Sequence, residues 1–226
     1  MHSHILPGID DGAKTIDDSI LLIEQLSSFG ITNFRVTPHV LGGVWENSSE
    51  IIKEKEALLR KELDARGMQH INLHAAAEYL MDSLFSKRLA DDDILPLKDN
   101  YILVEMSFLN PPINLDEILF EIQLKGYRPV LAHPERYLFY HQDFSKYEKL
   151  IQAGCLLQLN LFSIANHYGK DVGKVAHQLL KKNMYTFVGT DIHKERHLPI
   201  IKQLATKNNK KLLTPLFENN SNTFSF

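Results

Sequence analysis

The sequence predicts a parallel α/β fold closed, or nearly closed, into a barrel. Extended segments alternate with amphipathic ones from end to end, and successive strand ends fall near residues 4, 39, 78, 105, 133, 160 and 191. That repeat of roughly thirty residues suits one βα unit each. The extended segments also finish repeatedly in His, Asp or Glu, at the pole where parallel barrels carry their sites. No Pro/Ser-rich linker divides the chain, so residues 1–210 are expected to form one domain, and the Asn/Ser-rich segment 211–226 a polar, mobile tail.

The elements follow in order. Met1 to Ile5 is the first strand. Thr15 N-caps a helix with Asp17 and Asp18 in its first turn, Ile20, Ile23 and Leu26 as its apolar stripe, and Gly30 at its end. Ile31 to His39 is the second strand. The charged stretch Glu50 to Arg66 carries Ile51, Leu58 and Leu59 and stops at Gly67. Strands then follow at Ile71 to Tyr79, Tyr101 to Ser107, Arg128 to His133, Cys155 to Leu161 and Thr186 to His193. Helices are expected at Leu115 to Lys125, Phe144 to Ala153, Val172 to Lys182 and Leu198 to Ala205.

Composition narrows the function. The 226 residues are 44% hydrophobic and 23% charged, the balance of a globular chain. With 25 basic against 28 acidic residues the net charge is −3, which excludes a strongly basic phosphate-backbone binder, so no nucleic-acid partner is expected. Cys155 is the single cysteine, leaving no internal disulfide, no CxxC pair and no cysteine-rich zinc site; a reducing, cytoplasmic setting fits. No apolar run approaches the ~20 residues that span a bilayer, so no membrane insertion is expected.

Histidine is abundant, at 11 residues, and its placement is informative. His2 and His4 close the first strand, Asp11 follows in the loop, His39 closes the second, Glu78 the third, Glu105 the fourth and His133 the fifth. Asp191 and His193 close the seventh. Alternate strand residues share a face, so His-x-His and Asp-x-His each aim two ligands at one point. Nine nitrogen and carboxylate ligands without thiolates suit manganese, iron or zinc, and can hold two or three ions. Cations are the simplest way to offset the mutual repulsion of so many acidic groups.

Hydrolysis of a phosphate ester needs hydroxide at neutral pH, neutralised transferring oxygens and a stabilised leaving oxygen. Bridged metals supply the first, and the forked guanidinium of Arg136 helps with the second. The leaving oxygen is served by metal contact or by a nearby acid, for which His197 is a candidate. Trp45, in the loop after the second strand, can rim the pocket and stack on an aromatic substrate ring.

Two motifs are decoys. Cys155 has Leu161, not arginine, six residues on, which excludes a cysteine phosphatase and leaves a small buried hydrophobe. Gly169 to Lys174 imitates a phosphate loop but is one residue short, and reads as a helix start. His70, His74, His141, His167 and His177 have no partner pattern and are expected to be structural or exposed.

The runs HSHILPGIDDGA from His2, Thr37-Pro38-His39, His133-Pro134-Glu135-Arg136-Tyr137 and Gly189-Thr190-Asp191-Ile192-His193 resemble the PHP (polymerase and histidinol phosphatase) superfamily. Within it they are similar to the bacterial manganese-dependent protein-tyrosine phosphatases of capsule and exopolysaccharide loci, over nearly the whole chain. The resemblance implies a distorted (β/α)7, TIM-like barrel with a metal site at the C-terminal ends of the strands. It implies hydrolysis of phosphotyrosine by a metal-bound hydroxide, with a bacterial tyrosine kinase as partner. It implies one ion at His2, His4, Glu78 and Asp191, another at Glu78, Glu105 and His133, and a third at Asp11, His39 and His193. Arg136 would contact phosphate, and Arg196 is the match to a second arginine, although it follows Asp-x-His sooner than in the family. Only Met1 precedes His-x-His, where the family has several strand residues, so the first strand is expected to be poorly anchored. Alternatives on the same residues are a small-molecule phosphatase such as one for histidinol phosphate, a phosphodiesterase, or a binding module with structural metals.

Overall fold

A computed structural model describes residues 1–204 and 206–225, without the side chain of Lys207. The described residues form eight strands, of which β1 and β2, and β3 and β4, follow each other directly and the rest are separated by helices: β1 (Asn33–Val36), β2 (His39–Val40), β3 (Asn72–Ala75), β4 (Glu78–Leu80), β5 (Tyr101–Glu105), β6 (Arg128–Ala132), β7 (Leu156–Asn160) and β8 (Tyr185–Gly189). The helices are α1 (Ile16–Ser27), α2 (Ser49–Ala65), α3 (Ser83–Ala90), α4 (Leu115–Leu124), α5 (Ser145–Gln152), α6 (Lys170–Lys181), α7 (Leu198–Leu204) and α8 (Lys207–Phe224). Ala205, where the helix from Leu198 was expected to end, lies outside the described residues.

Local chemistry sets the helix starts. At α1, Asp18 N donates to Thr15 Oγ1 while Thr15 N donates back to Asp18 Oδ2, a reciprocal box that satisfies two orphan amides. At α2 and α3 the cap is one-way: Ser48 Oγ accepts from Ile51 N and Asp82 Oδ1 from Phe85 N. The false phosphate loop is the start of α6, and Cys155 is buried, as expected.

All strand pairs are parallel. One sheet has the order β2-β4-β5-β6-β7-β8 and a second consists of β1 and β3. The expected long second and third strands are each broken in two, because Pro38 has no N–H to donate at the join. Hydrogen bonds from Ala76 N to Val36 O (2.8 Å) and Glu78 N to Pro38 O (3.0 Å) carry the pairing across, so that His39 sits opposite Glu78. The expected first strand is reduced to one bridge, Ser3 to Ile192, flanked by bonds from His4 N to Ile192 O and Thr37 N to Ser3 O. Among the described residues no one sheet closes on itself, so of the closed or nearly closed barrel expected, full closure by one sheet is not found.

The central strands are buried on both faces: Ile102 to Val104, Val130 to Ala132, Leu157 and Leu159 expose nothing. Such unbroken apolar runs are what a parallel sheet covered by helices requires. Ile23 of α1, Leu59 of α2 and Leu179 of α6 share one core with Ile102, Val104, Leu131, Leu157 and Leu159, while Leu103, Val130 and Ala132 pack with Phe187 and Phe224 in a second.

The segment 211–224, expected as part of a polar, mobile tail, is helical. It belongs to α8, which buries Leu213, Leu216 and Phe224, the last against Phe187 with ring centroids 4.9 Å apart. Asn219 Nδ2 donates to Thr186 O, and Asn220 both donates to Val188 O (2.7 Å) and accepts from Val188 N (3.3 Å). Asparagine side chains thereby satisfy backbone groups of the edge strand β8. Phe226, the last residue of that expected tail, lies outside the described residues.

Candidate metal centre

The nine residues expected as ligands converge at one pole. His2 and His4 arrive on the N-terminal segment, His39 opens β2, Glu78 opens β4, Glu105 ends β5, His133 follows β6, and Asp191 and His193 follow β8. Two glycines allow the close approach: a Cβ on Gly12 would collide with the His4 carbonyl, and one on Gly189 with the His2 Cβ. His2, His133 and Asp191 all hold left-handed backbone, at φ +77°, +39° and +50°. Non-glycine residues adopt it at a cost of about 1–3 kcal/mol, which the surrounding structure must offset.

Three overlapping groups could each hold an ion. In the first, His2 Nε2 lies 3.2 Å from His4 Nε2, 3.3 Å from Glu78 Oε2 and 3.3 Å from Asp191 Oδ1. His4 Nε2 is 3.3 Å from Glu78 Oε2 and 3.2 Å from Asp191 Oδ1. The second is His39, Glu78 and Glu105, with His39 Nδ1 at 3.1 Å from Glu78 Oε2 and 3.0 Å from Glu105 Oε1. His133 Nε2 adjoins it, 3.0 Å from Glu78 Oε1 and 3.7 Å from Glu105 Oε2. The third is His4, Asp11, His39 and His193, with Asp11 Oδ1 3.3 Å from His193 Nε2 and 3.7 Å from His39 Nε2. His4 and His39 thus join groups the family resemblance did not give them.

The donor set fits cations. Ligands about 2.0 Å from a tetrahedral centre stand about 3.3 Å apart, the separation repeated through the first group. His39 Nδ1 and Glu78 Oε2 approach each other without hydrogen-bond geometry, and both are buried with no hydrogen-bond partner, as is Asp11 Oδ1. Lone pairs converge there on common points instead of pairing with one another.

Outer hydrogen bonds orient the rings. His2 Nδ1 is 2.7 Å from Gln158 Oε1, His4 Nδ1 is 2.8 Å from Asp10 Oδ2, and His193 Nδ1 is 2.9 Å from the Asp191 carbonyl. Each acceptor holds the proton on Nδ1 and frees Nε2 for a ligand role. Without cations the imidazoles themselves act as counter-ions. Burial opposes charge on His2, but Glu78 and Asp191 outweigh it and lift its pKa to about 9. Burial likewise works against ionised Glu78, yet His2 and His39 hold its carboxyl well below the usual range.

A cavity of about 360 Å³ opens over the cluster, lined by His39, Trp45, Phe108, His133 and Arg136 among others. Arg136 Nη1 donates to Asp191 Oδ2 at 2.8 Å. Trp45 stacks on His39, ring centroids 5.2 Å apart. Arg196 is not brought in: it is exposed on the turn Glu195–His197 and does not line this cavity. His197 is also outside it, and burial together with His167 lowers its pKa to about 4, so it is no acid at neutral pH. Asp10, Phe108, Gln158, Asn160 and Tyr168 escaped sequence reasoning. Only Asp10 carried a signal, as the neighbour of Asp11.

Fold and site together define an α/β protein with a candidate multi-ion centre and an arginine at its rim. The chain belongs to the family described as capsular polysaccharide synthesis, CpsB/CapC, whose model matches residues 1–223. It is 33% identical over 196 residues to tyrosine-protein phosphatase YwqE of Bacillus subtilis (strain 168), covering 85% of this chain and 76% of that one. It is 28% identical over 233 residues to tyrosine-protein phosphatase CpsB of Streptococcus pneumoniae, covering 97% and 95%. A solved structure from work on those two proteins, described as unique metal-dependent tyrosine phosphatases, superposes with a TM-score of 0.86 at 28% identity, covering 99% of this chain and 92% of that one.

Proposed function

We propose that this chain is a metal-dependent protein-tyrosine phosphatase. Its substrate is phosphotyrosine in the tyrosine-rich tail of a bacterial tyrosine kinase that controls polysaccharide export. The observation that carries the proposal is Arg136 lining one cavity with Glu105, His133, Asp191 and His193. A phosphate monoester needs that combination of clustered ligands and a forked donor.

His2, His4, Glu78 and Asp191 would hold one ion. Glu78 and Glu105 with His39 and His133 would hold a second, and Asp11, His39 and His193 with His4 a third. The nitrogen and oxygen donors suit manganese, and also iron or zinc. Bound ions would supply Lewis acidity, bringing a water's pKa toward neutrality and drawing charge from the phosphoryl oxygens. Arg136 donates the N–H groups that Asp191 leaves unused to the phosphate oxygens. Trp45, fixed on His39, offers an aromatic face to the tyrosine ring. Arg196 is left out of the phosphate site, since it stands clear of the cavity.

The bridge between Ser3 and Ile192 and the bond from Thr37 N to Ser3 O join the ends of the two sheets. They support a distorted seven-unit barrel in one domain, with the metal site at the C-terminal ends of its strands. No helix among the described residues is long and apolar enough to cross a membrane, which is compatible with a cytoplasmic setting.

The test is turnover by the manganese-loaded protein of a phosphotyrosyl peptide beside histidinol phosphate and a phosphodiester. A preference for the peptide, lost on chelation and in His133→Ala, is expected. Absence of metal-dependent phosphotyrosine turnover would refute the proposal.

A further inference from the structure

Arg136 is flanked by two aromatic rings from separate segments of the chain. Its guanidinium carbon lies 4.6 Å from the centroid of Phe108, in the segment after β5, and 4.2 Å from that of Tyr168, which precedes α6. Each ring is itself held. Phe108 stacks on His133 at 5.6 Å and 30° and adjoins Tyr137 at 5.8 Å. Tyr168 Oη accepts from Asn160 Nδ2 at 3.1 Å, and the same nitrogen donates to Asp191 Oδ2 at 2.9 Å. Asp191 Oδ2 therefore receives both Asn160 and Arg136, while Oδ1 faces His2 and His4.

An arginine beside several carboxylates has an alternative to binding substrate: it can fold down onto Glu105 or Asp11 and fill the anion's place. Its flexible stem makes that inexpensive, and cation–π contact on the guanidinium faces opposes it while leaving the N–H edges open.

We infer that Phe108 and Tyr168 form an aromatic clamp that positions Arg136, and that the clamp sets the affinity of the site for a phosphoryl group. The inference rests on Arg136 being the phosphate ligand. Both rings are assigned to the guanidinium faces, so they are positioning residues that act through Arg136. Phe108 is 46% exposed, which makes its truncation mild for the fold.

The experiment measures binding of inorganic phosphate to the manganese-loaded protein by calorimetry, with ions per chain counted for every variant. Phe108→Ala and Tyr168→Ala should each weaken phosphate about tenfold at unchanged metal content. Tyr168→Phe, which keeps the ring, should stay within about twofold of the parent. In an Arg136→Ala background the further loss from either alanine should fall below about twofold. An equal loss with and without Arg136, or no loss with Arg136 present, would overturn the clamp. If Tyr168→Ala sheds metal through Asn160 and Asp191, Phe108→Ala and Phe108→Leu decide the question alone. Phosphotyrosine turnover is measured separately, so clamp-dependent phosphate binding without turnover would sink the phosphatase proposal and leave the clamp standing.

Discussion

Asp10 Oδ2 stands 2.8 Å from His4 Nδ1 and also accepts from His39 N at 3.1 Å, so one carboxylate outside the three ligand groups orients two of their imidazole-bearing residues. Its other oxygen takes the Gly12 amide at 2.9 Å. Asp10→Ala should therefore weaken manganese binding about 10–100-fold, as loss of an outer-shell partner commonly does. Titration calorimetry on the metal-free protein checks this, and unchanged affinity would show that His4 needs no such support.

Glu78 is fully buried and common to two of the three groups, with Oε2 facing His2, His4 and His39 and Oε1 facing His133. Glu78→Gln should lower metal content by more than one ion per chain and cut turnover at least about a hundredfold. Asp11→Asn, at the more exposed third group, should cost at most one ion. Elemental analysis of both purified variants separates the two cases.

The pKa shifts set a sign for pH dependence in the metal-free protein. The folded pKa of His2, about 9, lies above the ordinary value of 6.5. Its ion pairs with Glu78 and Asp191 therefore stabilise the fold fully below about pH 6.5, and that stabilisation is lost as pH rises through 9. His4 is raised as well, in the same direction. Melting temperature after chelation should fall from pH 6.5 to 9. Metal affinity should rise over that range, because ligation displaces those protons. A chelated protein that grows more stable toward pH 9 would contradict this account of the cluster.

Helix α8 should matter to stability in spite of its polar sequence. Leu213 and Leu216 are 3% and 5% exposed, so Leu→Ala at either site should cost about 2–5 kcal/mol in urea unfolding. Asn220→Ala, which strands Val188 N and O, should cost about 1–3 kcal/mol. Losses under about 0.5 kcal/mol at all three positions would mean that α8 is only loosely attached.

The alternation of strands and helices was legible because each unit carries its own apolar pattern and cap, as at Thr15 and Ser48. The clustering of the candidate ligands was legible because they recur at the ends of the expected strands, where parallel α/β folds collect function. What escaped detection depends on contacts between distant segments. Phe108 and Tyr168 meet Arg136 from different loops, and Gln158 meets His2 across 156 positions of sequence. The break at Pro38 left His39 and Glu78 opening short strands instead of closing long ones. Helix α8 was missed because its few apolar residues lie among asparagines and a proline, Pro215, and those asparagines bond to β8 instead of to water. Arg196 follows Asp-x-His at a shorter spacing than the family motif has, and it lies exposed on a turn outside the cavity lining.

The central claim is that the ligand cluster exists to hold cations for phosphoryl chemistry. Its most direct test is the number of manganese ions bound per chain, measured in the parent and in a His4→Ala, Asp191→Asn double variant, with phosphotyrosine turnover followed on the same samples. Two or three ions with turnover in the parent, and loss of both in the variant, is the predicted result. A parent that binds fewer than one ion per chain at saturating manganese, or hydrolyses phosphotyrosine undiminished after chelation, would contradict the account.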